Sequence, residues 1–150
     1  MSIEILDPVA EVEEFQLAGA GEVVRVAAVL PDRFSAGVLA AMTTRTGVVG
    51  HMSGIRVRPG LKGRAAFIAG VNATNSNVKV LTNFSGNQDD NVLSRKISNA
   101  QIDAGADIIF TMLNAGRTGV VEVCRERGIR QIGNVGDWVQ SDPQVFLGSA

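Results

Sequence analysis

The chain has 150 residues and a formal net charge of −1, with 45% hydrophobic and 19% charged residues. That size suits one domain with an ample core. The near-neutral balance argues against a nucleic-acid partner, because phosphate binding needs a basic excess or a basic face. The single cysteine, Cys124, excludes an intramolecular disulfide and reads as a small buried side chain.

Residues 1–22 read as an N-terminal arm or edge strand. Ile3, Ile5 and Leu6 suggest a short strand broken at Asp7-Pro8, and the Glu-rich stretch after it suits a strand or a loose arm. The segment from Met1 to Glu14 is acidic and lacks the basic and apolar regions of a signal peptide, and no run reaches the length of a membrane span. As written, the chain is expected in the cytoplasm. Gly19-Ala20-Gly21 marks a turn; it lacks the third glycine of a dinucleotide fingerprint and precedes a strand instead of following one.

Residues 23–150 read as a single α/β lobe. Val23 to Leu30 forms a strand ended by Pro31, and Asp32 or Ser35 caps a helix with Phe34, Val38, Ala41 and Met42 inward, Arg45 near its end and Gly47 as its stop. Val48 to Met52 is the next strand, with Ser53-Gly54 as its polar exit. His51, the only histidine, has no metal-ligating partner near it in sequence and suits a structural or ligand-edge role. Pro59 starts a helix whose expected buried stripe is Leu61, Ala65, Ile68 and Val71. Arg56, Arg58, Lys62 and Arg64 there read as a solvated face.

Val78 to Thr82 is a strand opening into the polar loop Asn83 to Asp90. Asp89 or Asp90 caps a helix with Leu93, Ile97, Ala100 and Ala104 expected inward and Gly105 as its end. Asp107 to Leu113 is the most apolar strand and therefore the central one. It opens into Asn114 to Gly119, whose backbone N–H groups at a helix start would face an anion or a polar ligand edge, with Thr118 adding a hydroxyl. The loop is too short for a Walker motif and has no lysine. Val120, Val123 and Cys124 face inward, Gly128 stops that helix, Ile129 to Ile132 is a strand leading to Asn134–Trp138, and Val145 to Leu147 closes the chain.

Short apolar runs alternating with amphipathic segments predict βαβ units and a parallel, doubly wound sheet, whose ligands bind outside the carboxyl ends of the strands. The polar loops at those ends are the candidate site. No Ser-His-Asp set, metal cluster or close carboxylate pair is present in sequence, so neither catalysis nor a cofactor is expected.

The segments AFIAGVNATNSNVKVLTNFSGNQDD, AQIDAGADIIFTMLNAGRTGVVEVCRERGIRQIGNVGDW, DPQVFLGSA and FSAGVLAAMTTRTGVVGHMSG resemble the basic membrane protein family, in its order and spacing. The resemblance implies one lobe of a type I periplasmic-binding-protein-like fold, matching mainly the family's second lobe. It implies a substrate-binding lipoprotein of an ABC importer that takes a purine nucleoside, anchored outside the cytoplasm and partnered by a permease. An alternative within the resemblance is a cytoplasmic regulatory or oligomerisation domain, like the competence activator Med, that senses a small ligand. Of the family's Gly-Val-Asp-x-Asp, the second acid is kept as Asp137. A glycine pair common before the Thr-Gly is replaced by Asn114-Ala115-Gly116-Arg117.

A nucleoside needs acceptors for its ribose hydroxyls, amides for the base edge and an aromatic face. The carried-over site assigns Asp137 to the first, Asn83, Asn114 and Asn134 to the second, and Phe84 or Trp138 to the third, with Ser53 and Thr118 as hydroxyls at its rim. Family members are about twice as long. With one lobe complete, the chain is expected to bind nucleosides weakly, on the order of 0.1 mM, and to form a homo-oligomer, a two-fold dimer, through the surface that would meet the other lobe.

Overall fold

The computed structural model describes residues 33–150 throughout, and the backbone of residues 3–4, 12–16, 23–27 and 32. The three short segments are strands β1 (Ile3–Glu4), β2 (Val12–Gln16) and β3 (Val23–Ala27). They form a sheet in which β3 is central, parallel to β1 and antiparallel to β2. The expected turn at Gly19–Gly21 and the strand end at Pro31 lie outside the described residues.

From Asp32 onward helices and strands alternate: α1 (Asp32–Thr43), β4 (Val48–Ser53), α2 (Arg58–Thr74), β5 (Lys79–Phe84), α3 (Asn91–Asp103), β6 (Ile108–Met112), α4 (Arg117–Arg127), β7 (Arg130–Gly133), α5 (Trp138–Ser141) and β8 (Phe146–Ser149). The strands β4 to β8 make one sheet of order β5-β4-β6-β7-β8, with every neighbouring pair parallel. The apolar segment Ile108–Met112 is indeed the central strand. The chain runs outward from β4 to β5 and then returns past β4 to β6, so the winding reverses between β4 and β6. In sheets of this order the crevice at that reversal is where ligands bind.

Strand alternation assigns side chains to two cores. Val49, Ile108, Phe110 and Ile132 pack under Ala36 and Ala40 of α1 and Phe67 and Val71 of α2. Met52, Ile109 and Leu113 pack under Val120 and Cys124 of α4, flanked by Ile97 of α3 and Trp138 of α5. Burial pushes the Cys124 thiol up to about 12, so it stays protonated and inert near neutral pH.

Two helices bury different stripes from those that their apolar residues suggest. On α2 the buried positions are Gly60, Gly63, Phe67, Gly70 and Val71, whereas Ala65 is exposed and Leu61 and Ile68 are half-buried. The reason is backbone proximity: a Cβ on Gly70 would lie 2.1 Å from the carbonyl oxygen of Phe34, and one on Gly37 would lie 2.1 Å from that of Phe67. The helices α1 and α2 therefore touch main chain to main chain. Gly70→Ala is expected to destabilise the fold by about 1 to 3 kcal/mol through overpacking. In an uncrowded helix the same change stabilises by roughly 0.5 to 1 kcal/mol. The sign of the shift in a urea midpoint separates the two cases.

On α3 the buried residues are Ser94, Ser98 and Gln101, while Ala100 and Ala104 are exposed and Leu93 and Ile97 half-buried. Buried hydroxyls are tolerated because each is bonded. Ser94 Oγ donates to Gly116 O (2.7 Å), and Ser98 Oγ to Ser94 O (2.8 Å). Glycines of the neighbouring elements make the room: a Cβ on Gly119 would meet Ser94 Oγ at 2.4 Å, and one on Gly50 would meet Gln101 Oε1 at 2.1 Å. The helix ends follow the sequence. Asp90 Oδ1 accepts from Leu93 N at 2.9 Å, and Gly128 closes α4 in the left-handed conformation with φ 68°.

Candidate functional site

The polar loop after β5 ties the strand ends together. Ser85 N and Gly86 N donate to Ser53 O (2.8 Å) and Gly54 O (3.0 Å) beyond β4. Farther along, the carbonyl of Gln88 accepts from both Asn114 N (3.1 Å) and Gly116 N (3.0 Å) beyond β6. Glycine is required where the loop crosses, since a Cβ on Gly54 would lie 2.9 Å from Gln88 Cα and one on Gly116 2.8 Å from Gln88 O. The loops beyond β4, β5 and β6 thus form one bonded edge at the winding reversal.

That arrangement corrects the expectation of free amides at the start of α4. Asp89 Oδ1 accepts from Ala115 N (3.1 Å) and Asn91 Oδ1 from Gly119 N (2.9 Å). Arg117 N and Thr118 N donate to Asn114 O and Ala115 O, both at 3.1 Å. With Gln88 taking the other two, every backbone N–H from Asn114 to Gly119 has an internal acceptor, and the loop has no ready-made anion nest.

On the α1/α2 face, His51 is fully buried between Phe67, Phe84 and Phe110, with ring centroids 6.2, 6.0 and 6.0 Å away. Its Nε2 pairs with Ser53 Oγ at 2.9 Å and its Nδ1 with Thr82 Oγ1 at 3.2 Å. A neutral imidazole, one nitrogen donating and one accepting, suits two hydroxyls. Burial, helped by the charge of Arg64, lowers the His51 pKa from 6.5 to about 4. Ser53 is itself 1% exposed, so it supports the histidine from below the edge. Phe84 is half-buried and carries two guanidinium groups against its ring, Arg56 at 5.7 Å and Arg64 at 5.4 Å from the centroid.

The second grouping lies at the ends of β6 and β7. Arg117 Nη2 donates to Leu113 O (2.6 Å), Asn134 Oδ1 (2.8 Å) and Asn134 O (3.3 Å), and its guanidinium covers the Trp138 ring at 4.2 Å. Burial lowers the pKa of Arg117 from its usual value. Trp138 Nε1 donates to Asn134 O at 2.8 Å, and its ring stacks on Phe146. Asp137 is exposed, and its Oδ1 caps α5 by accepting from Gln140 N (3.2 Å), while Oδ2 has no hydrogen-bond partner among the described residues. It lines an open depression of about 470 Å³ with Val135, Gly136, Ser149 and Ala150. Val135 sits at φ 54°, a costly conformation for a β-branched residue, and is 78% exposed in that loop.

The sequence-predicted residues therefore divide. Asn134, Asp137 and Trp138 adjoin one another; Ser53 and Phe84 adjoin through His51. Asn114 and Thr118 are exposed at the edge between the groups. Asn83 points to the opposite face from Phe84, its Oδ1 accepting from Gln101 Nε2 at 2.8 Å. Sequence reading missed Gln88, Gln101 and Arg117. Of these only Arg117 left a signal, as a cation where a glycine is common in the resembling family. Among the described residues no group of three or more His, Cys, Asp or Glu side chains could hold a metal.

A parallel doubly wound lobe with its polar loops joined at the winding reversal defines a periplasmic-binding-protein-like α/β domain, and solved structures bear this out. An ABC transporter solute-binding protein from Aeropyrum pernix K1 superposes with a TM-score of 0.71 at 20% identity, covering 78% of this chain and 36% of that one. A transcriptional activator of the comK gene from Bacillus halodurans gives 0.67 at 20% identity, covering 75% and 39%. Residues 30–150 match the Bmp family model, described as ABC transporter substrate-binding protein PnrA-like, and the chain belongs to that family. Basic membrane protein D of Borreliella burgdorferi is 32% identical over 95 residues, which are 63% of this chain and 28% of that protein. A purine-binding protein of Brucella abortus is 26% identical over 115 residues, 77% of this chain and 32% of that protein. The chain thus spans about a third of the length of the curated relatives it matches. No helix among the described residues is long and apolar enough to cross a membrane.

Proposed function

We propose that residues 23–150 are the ligand-binding lobe of a Bmp-type substrate-binding protein, which takes a purine nucleoside or a similar small polar molecule without turning it over. In this reading the ligand would be handed to an ABC permease. The observation that carries the proposal is the bonded carboxyl edge, where Gln88 joins the loops on both sides of the winding reversal. Such an edge offers a ligand fixed polar groups with little ordering left to do. The similarity to a purine-binding protein supports the choice of ligand class.

Within the site, Asp137 is assigned to the ribose hydroxyls, since it lines the depression and its Oδ2 has no partner among the described residues while Oδ1 holds the helix cap. Asn114 and Thr118, exposed at the rim, are assigned to the base edge. Asn134 contributes through Arg117, which already occupies its amide oxygen. Phe84 or Trp138 is assigned to stacking, although each already has side chains against its ring, Arg56 and Arg64 on Phe84 and Arg117 and Phe146 on the indole.

The test is a calorimetric titration with inosine, guanosine and adenosine on the wild type and on Asp137→Asn. Asparagine keeps an oxygen for the α5 cap and removes the charge. Loss of charge-assisted hydrogen bonds worth about 1.5 to 3 kcal/mol should weaken affinity roughly ten- to a hundredfold, with melting unchanged. Equal affinity in the variant would show that the ribose site lies elsewhere.

A further inference from the structure

Positive charge gathers on the wall of the edge opposite Asp137. Arg56, in the connection after β4, and Arg64, in α2, both lie against the one ring of Phe84. Arg33, from the first turn of α1, reaches the same helix: a Cβ on Gly63 would lie 3.5 Å from Arg33 Cγ, and Arg33 Nε is buried without a hydrogen-bond partner. Gly60 and Gly63 share one face of α2, and a Cβ on Gly60 would lie 3.2 Å from Phe84 Cε1. The ring and Arg33 therefore border the same short stretch of helix.

No carboxylate balances this wall among the described residues. The ion pairs there use Arg95, Arg125 and Arg127, on Glu122, Glu126, Asp142 and Asp103. The first turn of α2 has no acidic residue. Two guanidinium groups at 5.7 and 5.4 Å from the centroid of one ring bring two positive charges to a single aromatic side chain, and each gains only a modest attraction from it. An anion beside them would offset that charge and receive planar, forked donors, the geometry arginine offers to phosphate and carboxylate.

We infer that the ligand carries an anionic group of phosphate or carboxylate class, seated against Arg56 and Arg64 beside Phe84. This deepens the nucleoside reading and rests on it for the rest of the ligand. The closed amides of the Asn114–Gly119 loop are consistent with it, since they leave the arginine wall as the side of the edge that receives negative charge.

Calorimetry with inosine and guanosine against their 5′-monophosphates, and with inorganic phosphate and acetate alone, tests the inference. In the wild type the monophosphates should bind about tenfold or more tightly than the nucleosides, the factor one charge-assisted hydrogen bond supplies. That advantage should shrink as salt rises. The double substitution Arg56→Gln and Arg64→Gln should erase it, whereas Arg125→Gln, in the last turn of α4 and paired with Asp142, should leave it intact. Equal affinity for nucleoside and monophosphate overturns the anion seat while leaving the nucleoside reading in place. An advantage that survives in the double variant overturns the assignment to these arginines. If nucleosides and monophosphates all fail to bind, the nucleoside reading falls, and the phosphate and acetate arms decide the seat. Either anion binding to the wild type and not to the double variant upholds it; no binding sinks it.

Discussion

Phe110→Ala is expected to cost about 3 to 5 kcal/mol of folding stability, a large share of what a domain of this size possesses. The ring stands on the central strand β6, is fully buried, and stacks on Phe67 with centroids 5.0 Å apart. Its removal leaves a cavity under α2, which the main-chain contacts at Gly37 and Gly70 hold against α1 and keep from settling into the gap. Equilibrium urea unfolding would read the loss as a lowered midpoint with an unchanged slope. A loss below roughly 1 kcal/mol would place the ring outside the core and dismantle the sheet assignment.

Stability should also fall steeply between neutral pH and pH 4, with His51 as the cause. The folded protein holds this imidazole at about 4, whereas an unfolded chain holds it near 6.5. Above pH 6.5 both states are neutral there, and the residue adds no pH dependence. As the pH drops from 6.5 to 4 the unfolded chain takes up a proton that the folded one refuses, so stability is lost across that window. Below about 4 the loss is complete, on the order of 3 kcal/mol. In His51→Gln this part of the slope should vanish, and urea midpoints at successive pH values would show it. Arg64→Gln should raise the histidine toward its ordinary value, readable from the imidazole resonances in an NMR titration. An unaltered slope in the His51 variant would move the effect to another group.

Much of the architecture is legible in the sequence because it is written in local chemistry. Pro59 at the start of α2, Asp90 at the cap of α3, and the glycines at 105 and 128 announce helix ends, and the apolar run around Ile109 announces the central strand. The helix faces were harder, for a physical reason. A hydrophobic stripe marks burial by side chains, whereas α2 is buried through Gly60, Gly63 and Gly70 and α3 through Ser94, Ser98 and Gln101. The glycine spacing along α2 was a usable signal of close approach; the serines on α3 resemble any solvated helix until Gly119 is seen opposite them. At the site, the loops could be read but their bonding could not. The acceptors for Ala115 N and Gly119 N come from Asp89 and Asn91, just before and at the start of α3, which only the fold brings near.

The bridge made by the Gln88 carbonyl has a consequence for how the lobe moves. A single acceptor holding Asn114 N and Gly116 N, with Asp89 and Asn91 holding Ala115 N and Gly119 N, makes the front of α4 and the front of α3 one latch. Those four amides should exchange with deuterated solvent slowly and together, at a rate set by opening of the whole unit and not by fraying of one loop. A molecule arriving at this edge would meet a surface set at synthesis, and its arrival would change the exchange of the arginine-lined wall more than that of the latch.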